Sequence, residues 1–406
     1  MNMENKKSMR GFTLLELLVS TSLGIIVVLA MTSLFKVGMS STFTVTQRLE
    51  VQENMRAAME LISEDVSQAG AGLPSGGLQL VTGGTVSRIA YNQAGTSYVP
   101  GDLYPASGTG VANYMYGIVP GYNNGVQNGT AITAAPGQIN DSLTAIYADN
   151  NFTLSNFTFT IASATSVTVG VIAAPNSTLP SNILAPGGFN ANGGDVLLFI
   201  VNTPGTGTGS NGNSQIQTAA VAAEVTAVTG TTGATNCQTS PASCAWTLTF
   251  ATSDALNLNQ TGAGTSNNLG TVSAAIGGAG AKLSVSRLNI VTYFLQVPPA
   301  GGTVQTPRLM RQVSGLTAVP VADNIISLQF TYDVIDSVNG TISANLPNPI
   351  GAGQSPSLIQ KVNIDVMGQS MTSGGNKSQA MYLVSAVAAR DMSFCNSYSA
   401  STTVCQ

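Results

Sequence analysis

An apolar run from Phe12 to Phe35 is the strongest hydrophobic pattern in the chain, and it contains one charged residue, Glu16. As a helix with about 1.5 Å of rise per residue, the run would reach roughly 36 Å, which is enough to cross a bilayer. The flanking charges before it are Lys6, Lys7 and Arg10 against the single acid Glu4. Because positive charge marks the cytoplasmic side, the pattern predicts one span with a cytoplasmic N-terminus and everything after Lys36 outside.

The carboxylate sets this run apart from two simpler alternatives, a secretory signal peptide and a plain membrane anchor. A secretory signal has a shorter apolar region that ends in a small-residue cleavage site, whereas here the small residue Gly11 precedes the run. An ionisable group near the bilayer centre costs at least about 2.5 to 3.5 kcal/mol, so it calls for a partner and a function. Glu16 is therefore the first candidate functional residue.

A second helical pattern continues the first without a break from Lys36 to Ala69. Apolar residues recur there at spacings of three and four, at Val51, Met55, Met59, Ile62, Val66 and Ala69. This spacing is typical of an amphipathic helix with one buried face, and Gly70, Gly72 and Pro74 supply the stop. We expect the stripe to lie against the sheet of a globular domain.

The rest of the chain has strand patterns rather than helical ones. Residues 75–135 are rich in turn signals and predict loops with short strands, after which four clear strands follow, at Asp141–Ala148, Phe157–Ser163, Ser166–Ala174 and Asp195–Asn202. Residues 203–280 form a Gly/Thr/Ala/Asn/Ser-rich field. Its composition fits an insertion with its own hairpins or a partly mobile decoration, with or without a ligand.

Regular strands return in the C-terminal part, at Arg287–Gln296, Pro307–Val313, Asp323–Val334 and Leu358–Gln369. Successive strands joined by turns form an antiparallel sheet, most simply a meander. The predicted fold class is therefore α+β, with a long N-terminal helix, half spanning a membrane and half amphipathic, packed on an antiparallel β-rich domain with long loops.

Charge and composition exclude several function classes. Only 8% of the residues are charged, histidine is absent and the net charge is -4, with no lysine or arginine between Arg88 and Lys282, so we expect no nucleic-acid binding. No nucleophile-and-base arrangement, nucleotide loop or metal pattern is visible, which predicts a protein that is not an enzyme and has no cofactor. Asp333, Asp336 and Asn339 have calcium-ligand chemistry, but a strand end followed by a turn is the simpler interpretation.

The four cysteines occur as two close pairs, Cys237 with Cys244 and Cys395 with Cys405. For a domain in an oxidising compartment, two local disulfides are the favoured one of three possible connectivities. Free thiols or a metal site are the alternatives, although the spacings match no zinc pattern.

The residues Gly11, Phe12, Thr13, Leu14, Leu15 and Glu16 resemble the class III leader of type IV pilins and type II secretion pseudopilins. The resemblance implies cleavage between Gly11 and Phe12 by a prepilin peptidase and methyltransferase, N-methylation of Phe12, and a role for Glu16 in subunit assembly with other minor and major pilins. Many major pilins carry a proline where Ser33 stands here, which implies a straighter helix in this chain.

Two later stretches narrow the resemblance to the PilW family of minor pilins, to which J-type pseudopilins are related. They are the helix continuation Gln52–Gly72 and the strand order TYF, PRLMRQV and VADNIISLQFTYDV after Arg287. The implied fold is pilin-like. The implied function is to initiate or prime fibre assembly near the tip, with the domain periplasmic before assembly and at the cell surface afterwards. A type II secretion minor pseudopilin and a tip adhesin that uses residues 203–280 are the alternatives.

The chain accordingly divides into six expected parts. These are a leader (1–11), a transmembrane and assembly helix (12–35), an amphipathic helix (36–72), a first β-rich part (73–202), an insertion (203–280), and a C-terminal sheet with a disulfide region (281–406).

Overall fold

The fold is described from a computed structural model of the chain. The structure describes residues 12–74, 77–81, 91–93, 96–98, 114–122, 126–128, 131–133, 140–149, 151–152, 154–172, 182–184, 187–204, 215–230, 244–256, 258–261, 265, 267–296, 307–335, 340–347, 356–370 and 379–389.

One helix, α1, runs without interruption over Leu14–Gln68 and is 55 residues long, or about 83 Å. It begins after the N-cap Thr13 and ends where Gly70 and Gly72 adopt positive φ, a conformation that favours glycine. The predicted apolar stripe is confirmed, because all six of its residues are buried. The stripe packs on strands of the domain, as expected.

The other elements are a short helix α2 (Leu269–Ile276), a 3-10 turn (Pro356–Leu358) and the strands of the β-rich domain. Within the described residues the strands are β1 Leu78–Gln79, β2 Tyr91–Gln93, β3 Thr96–Tyr98, β4 Tyr114–Met115, β5 Ile118–Gly121, β6 Val126–Asn128, β7 Ala131–Thr133, β8 Ser142–Ala148, β9 Phe157–Ser163, β10 Ser166–Val171, β11 Val196–Pro204, β12 Gln215–Glu224, β13 Ala227–Gly230, β14 Ala245–Thr249, β15 Lys282–Gln296, β16 Arg308–Val313, β17 Val319–Asp323, β18 Ile325–Ile335, β19 Ile342–Leu346, β20 Ile359–Gln369 and β21 Ala380–Ala388. The four strands predicted between 141 and 202 are thus confirmed as β8 to β11.

Three sheets carry most of these strands. In the described part of the chain, a nine-stranded sheet has the order β12-β11-β15-β16-β17, with β8 also pairing with β15, β5 with β8, and β6 and β7 at one end. Two four-stranded sheets have the orders β13-β14-β10-β9 and β19-β18-β20-β21. The pairing is antiparallel except between β6 and β15. The α+β class is therefore present.

Two of the hydrophobic cores account for the architecture. In the first, the buried stripe of α1 lies closest to β21, β17, β20 and β8, and residues of β15 and β18 complete the core. The approach is close at Gly368, because a Cβ there would lie 2.7 Å from side-chain atoms of Val51 and Met55. In the second core, the β13-β14-β10-β9 sheet packs on β11, β12 and the start of β15 to form a sandwich around Trp246.

The C-terminal strands differ from the predicted meander. The strand predicted at Asp323–Val334 is confirmed as β18 from Ile325 onward, whereas Asp323 ends β17 and Asn324, with φ 64°, lies between the two strands. β17 stays beside β16 in the large sheet, whereas β18 pairs with β19 and β20 in another. An asparagine tolerates the left-handed conformation, so the chain changes sheets at that residue.

The described parts of the Gly/Thr/Ala-rich segment at residues 203–280 belong to the sheets and the core of the domain, rather than to a separate insertion. It supplies β12, β13, β14 and α2, and its single tryptophan, Trp246, is buried in the sandwich core. Small side chains such as those of Ala219 and Ala223 let β12 pack closely against the sandwich core. The uncharged composition of these strands therefore reflects burial as well as a solvated surface.

Candidate functional site: an exposed apolar helix with one carboxylate

The first part of α1 is the largest exposed apolar surface that the structure describes. Its large side chains are exposed throughout, with Leu14 at 83% and Leu34 at 77%, until the chain reaches Val51 at 1%. Monomeric soluble proteins rarely expose a contiguous apolar patch of more than a few hundred Å². This half of the helix is therefore built for an apolar environment outside its own domain, and it is long and apolar enough to cross a membrane.

Glu16 lies in the first turn of this exposed segment. The Oγ1 of Thr13 accepts a hydrogen bond of 3.3 Å from the backbone N–H of Glu16, which is one half of a capping box. The other half would be a bond from the Thr13 N–H to the Glu16 carboxylate, and the described residues show no such bond. Within that part of the chain the carboxylate has no hydrogen-bond or ion-pair partner, so it is available to another molecule.

The apolar face of α1 continues beyond the length that a bilayer would cover. Its residues after Lys36 include Gly38, Met39 and Phe43, which with Met31, Leu34, Phe35, Thr42 and Thr46 line a shallow groove of about 690 Å³ along one side of the helix. All eight recur at spacings of three and four. A helix packed alongside would find small residues at Gly38 and Thr42 and large ones on either side.

The opposite end of α1 is held in the domain by a buried polar cluster around Asp65, which is 4% exposed. One carboxylate oxygen accepts from the Tyr147 hydroxyl at 2.6 Å and from Arg311 Nη2 at 3.1 Å. The other accepts from the Tyr293 hydroxyl and from Arg311 Nε at 2.9 Å. Burial, and then the hydrogen bond and charge of Asp65, raise the pKa of both tyrosines, so both remain donors.

This cluster, which we call the Asp65 pin, joins α1 to three strands, β8, β15 and β16. Sequence reasoning missed it, although Tyr147, Tyr293 and Arg311 lie in strands that the sequence did predict. One signal was present: Asp65 lies three residues after Ile62 and four before Ala69, both on the buried stripe. A carboxylate on an apolar stripe calls for a buried partner.

Of the other predicted site residues, only some lie in the part of the chain that the structure describes. Phe12 is described and exposed, whereas Gly11 lies outside the described residues, so no geometry bears on the cleavage site. Cys244 is buried and disulfide-bonded. Cys237, Cys395 and Cys405 lie outside the described residues, and the pairing of the four cysteines stays a prediction.

The described member of the predicted calcium-ligand set, Asp333, is engaged in structural bonds. Asp333 pairs with Lys361 at 2.5 Å and accepts from the Asn345 N–H and Asn363 Nδ2, while Asp336 and Asn339 lie outside the described residues. In the part of the chain that the structure describes, no three His, Cys, Asp or Glu side chains gather as metal ligands.

Two buried acids, Glu224 and Asp254, make the domain sensitive to pH. Burial raises the pKa of Glu224 to about 7 and that of Asp254 to about 6, against partly compensating backbone hydrogen bonds. The other charged groups that act on Glu224 are the acids Asp254 and Asp195, and among the described residues no cation offsets the cost of burial. A carboxyl group whose pKa is raised by folding stabilises the fold while protonated and loses that contribution as pH rises through the raised pKa.

We therefore expect the free energy of unfolding to fall by about 4 kcal/mol between pH 5 and pH 8, since one pKa unit corresponds to about 1.4 kcal/mol. Urea unfolding of the full chain in detergent micelles at both pH values measures this change. Glu224→Gln should remove more than half of the pH dependence, and Glu64→Gln, at an exposed helix position, should leave it intact. A pH dependence unchanged by Glu224→Gln would refute the assignment.

Comparison with protein-family models, with curated proteins and with solved structures finds no match to this chain.

Proposed function

We propose that this chain is a minor type IV pilin of the PilW kind, which its helix first anchors in the inner membrane and then incorporates into a fibre. One observation carries the proposal: a single 55-residue helix is apolar and exposed in its first part, where Glu16 has no partner among the described residues, and is fixed in a β-rich domain in its second. A plain anchor needs the apolar length but not the carboxylate. The leader resemblance at Gly11 to Glu16 gives that carboxylate a role.

The role follows from the cost of unpaired charge in an apolar environment. Cleavage after Gly11 would leave a positive α-amino group on Phe12, and a buried amine and a buried carboxylate are each costly unless paired. When subunits stack through their helices, Glu16 of one subunit neutralises the amine of its neighbour. Because the two charges lie at fixed positions on α1, their pairing also sets the register between helices.

The extent of the apolar face supports packing against protein as well as lipid. The hydrocarbon core is about 30 Å thick, which residues 12–35 already span, yet the exposed apolar face of α1 reaches Phe43 and Val45. Those residues need cover outside the bilayer, and neighbouring pilin helices provide it. The Asp65 pin keeps the domain attached at a fixed position on α1, so docking the helix also places the domain.

The size of the domain supports a low copy number. With 406 residues in the chain and three sheets of four or more strands among the described residues, the domain is bulky for a subunit that repeats densely along a thin fibre. A position near the tip, where assembly starts, accommodates such a domain without crowding. The domain is then periplasmic before assembly and lies at the cell surface afterwards.

Mass spectrometry of the mature N-terminus tests this proposal. We expect a peptide that begins at N-methylated Phe12, in both the membrane fraction and the sheared-fibre fraction, and at a small fraction of the abundance of the major subunit. An unprocessed Met1, or a cut after residue 35, would overturn the proposal, because the chain would then carry an ordinary anchor or signal peptide. Abundance equal to that of the major subunit would refute the position at the tip.

A further inference from the structure

The β-sandwich formed by the large sheet and the β13-β14-β10-β9 sheet is open along one side. On that side β15 pairs with β8 only from Leu288 onward, because β8 ends at Ala148. The first part of β15, Lys282 to Arg287, pairs with β11 on its other side and has no strand partner on this one within the described residues. The sheet therefore presents a free edge beside the sandwich core.

The backbone groups on that free edge can be assigned from strand alternation. The carbonyl of Arg287 accepts a 2.7 Å hydrogen bond from the Asp149 N–H, so Arg287 directs its backbone groups toward the open side. In an antiparallel ladder alternate residues direct their N–H and C=O to the same side. The pairing of β15 with β11 shows no register shift. Val285 and Leu283 therefore direct their N–H and C=O groups into the opening.

The facing wall is β9, which is also an edge strand in the described part of its sheet. The Asn156 carbonyl accepts from Ile172 N–H on the β10 side. By the same alternation, Phe159 directs its backbone groups away from β10 and toward the free edge. Two free strand edges thus border one opening.

The opening contains two cavities, of about 560 and 230 Å³, which share Leu154, Ser155 and Val285. We call them together the sandwich groove. Apolar side chains from the core form its floor, chiefly Phe157, Phe159 and Leu283, and Ser155, Thr158, Ser284 and Ser286 also line it.

The groove carries no unbalanced charge among the described residues that line it. At one end Arg287 pairs with Asp149 and donates to the carbonyls of Gly187 and Gly188 at 2.7 and 2.8 Å. Its guanidinium also lies over the rings of Phe152 and Phe189. Because its bonding capacity is taken up inside the protein, this arginine is not free to hold an anionic ligand.

We propose that the sandwich groove binds an extended, uncharged peptide segment of a partner protein, which pairs with the free edge of β15. Free N–H and C=O groups at strand spacing match a peptide backbone, as in binding by strand addition. From Leu283 to Arg287 the edge is about 13 Å long, enough for roughly four extended residues. A strand added at this edge directs every second side chain to the apolar floor and the others outward, which favours a segment in which apolar and small polar residues alternate.

Hydrogen exchange of the full chain in detergent micelles tests the proposal, with mass spectrometry at single-residue resolution. The probe is the peptide acetyl-Thr-Val-Thr-Val-Thr-Val-Lys-Lys-amide, in which the lysines only confer solubility. We expect saturating peptide to slow exchange of the Leu283 and Val285 amides at least fivefold. Amides of β21, an edge strand of another sheet, should not change.

Two variants make the test specific. Ser155→Trp places a large side chain at the middle of the sandwich groove and should abolish the protection, whereas Thr160→Trp, exposed on β9 but outside the groove lining, should preserve it. No protection by the peptide, or equal protection in Ser155→Trp, would overturn the proposal. Protection by chitohexaose but not by the peptide would also overturn it, in favour of a glycan site. None of these outcomes depends on fibre assembly, so this proposal and the pilin proposal can fail separately.

Discussion

Replacing Glu16 with glutamine is expected to lower incorporation of the chain into fibres by about two orders of magnitude while leaving membrane insertion and leader removal intact. Glutamine keeps the length of the side chain and can still complete the capping box with Thr13, so only the charge is lost. Breaking a buried ion pair by removing one partner costs about 3 to 5 kcal/mol, because the other charge is left unpaired. The ratio of chain in sheared fibres to chain in membranes measures the loss.

The matched control is Glu50→Gln, which removes an exposed carboxylate from the same helix outside the apolar run. We expect this variant to enter fibres as the unaltered chain does. If Glu16→Gln also enters fibres normally, Glu16 is only a capping residue of α1 and the assembly role falls. Both variants should yield the same mature N-terminus, which separates processing from assembly.

The helix was predictable because its signals are local. A run without charge, a stripe at spacings of three and four, and glycines at the end specify α1 from residues that are neighbours in sequence. The sequence also predicted where α1 passes from its exposed apolar part into the domain, since the buried stripe begins at Val51. Strands such as β8 and β9 were found for the same reason, from their own alternation and flanking turns.

The arrangement of the strands into sheets was not predictable from the same signals. Pairing joins residues far apart, as where β15 meets β8 across more than a hundred positions. The change of sheet at Asn324 depends on one residue that adopts a left-handed conformation, and Asn345 adopts the same conformation inside β19 without a change of sheet. The strands in residues 203–280 were hidden by small residues, which suit a buried strand and a mobile loop equally well.

The partners of Asp65 in the pin could not be predicted from the sequence either, for the same reason. In the sequence, Glu64 and Asp65 are adjacent acids on one helix, and only the spacing of Asp65 from Ile62 and Ala69 distinguishes them. In the structure Glu64 is exposed and Asp65 is buried among two tyrosines and an arginine. Those partners come from three strands whose positions relative to α1 only the folded chain defines.

Replacing Asp65 with alanine is therefore expected to destabilise the domain by about 3 to 5 kcal/mol. The change leaves Arg311 partly buried without its counter-charge and leaves the hydroxyls of Tyr147 and Tyr293 without their acceptor. Because the pin joins α1 to β8, β15 and β16, its loss should also loosen the helix from the domain. Urea unfolding of the full chain in detergent micelles measures the change in stability.

Two further variants identify the cause of that loss. Glu64→Ala removes the neighbouring exposed acid and should change stability by no more than about 0.5 kcal/mol. The double variant Asp65→Leu/Arg311→Met replaces the charge pair with apolar side chains and should recover at least half of the loss, because a buried pair can often be exchanged for hydrophobic residues at little cost. If Asp65→Ala is no more destabilising than Glu64→Ala, the pin does not hold α1 in the domain. The buried stripe from Val51 to Ala69 must then hold the helix alone.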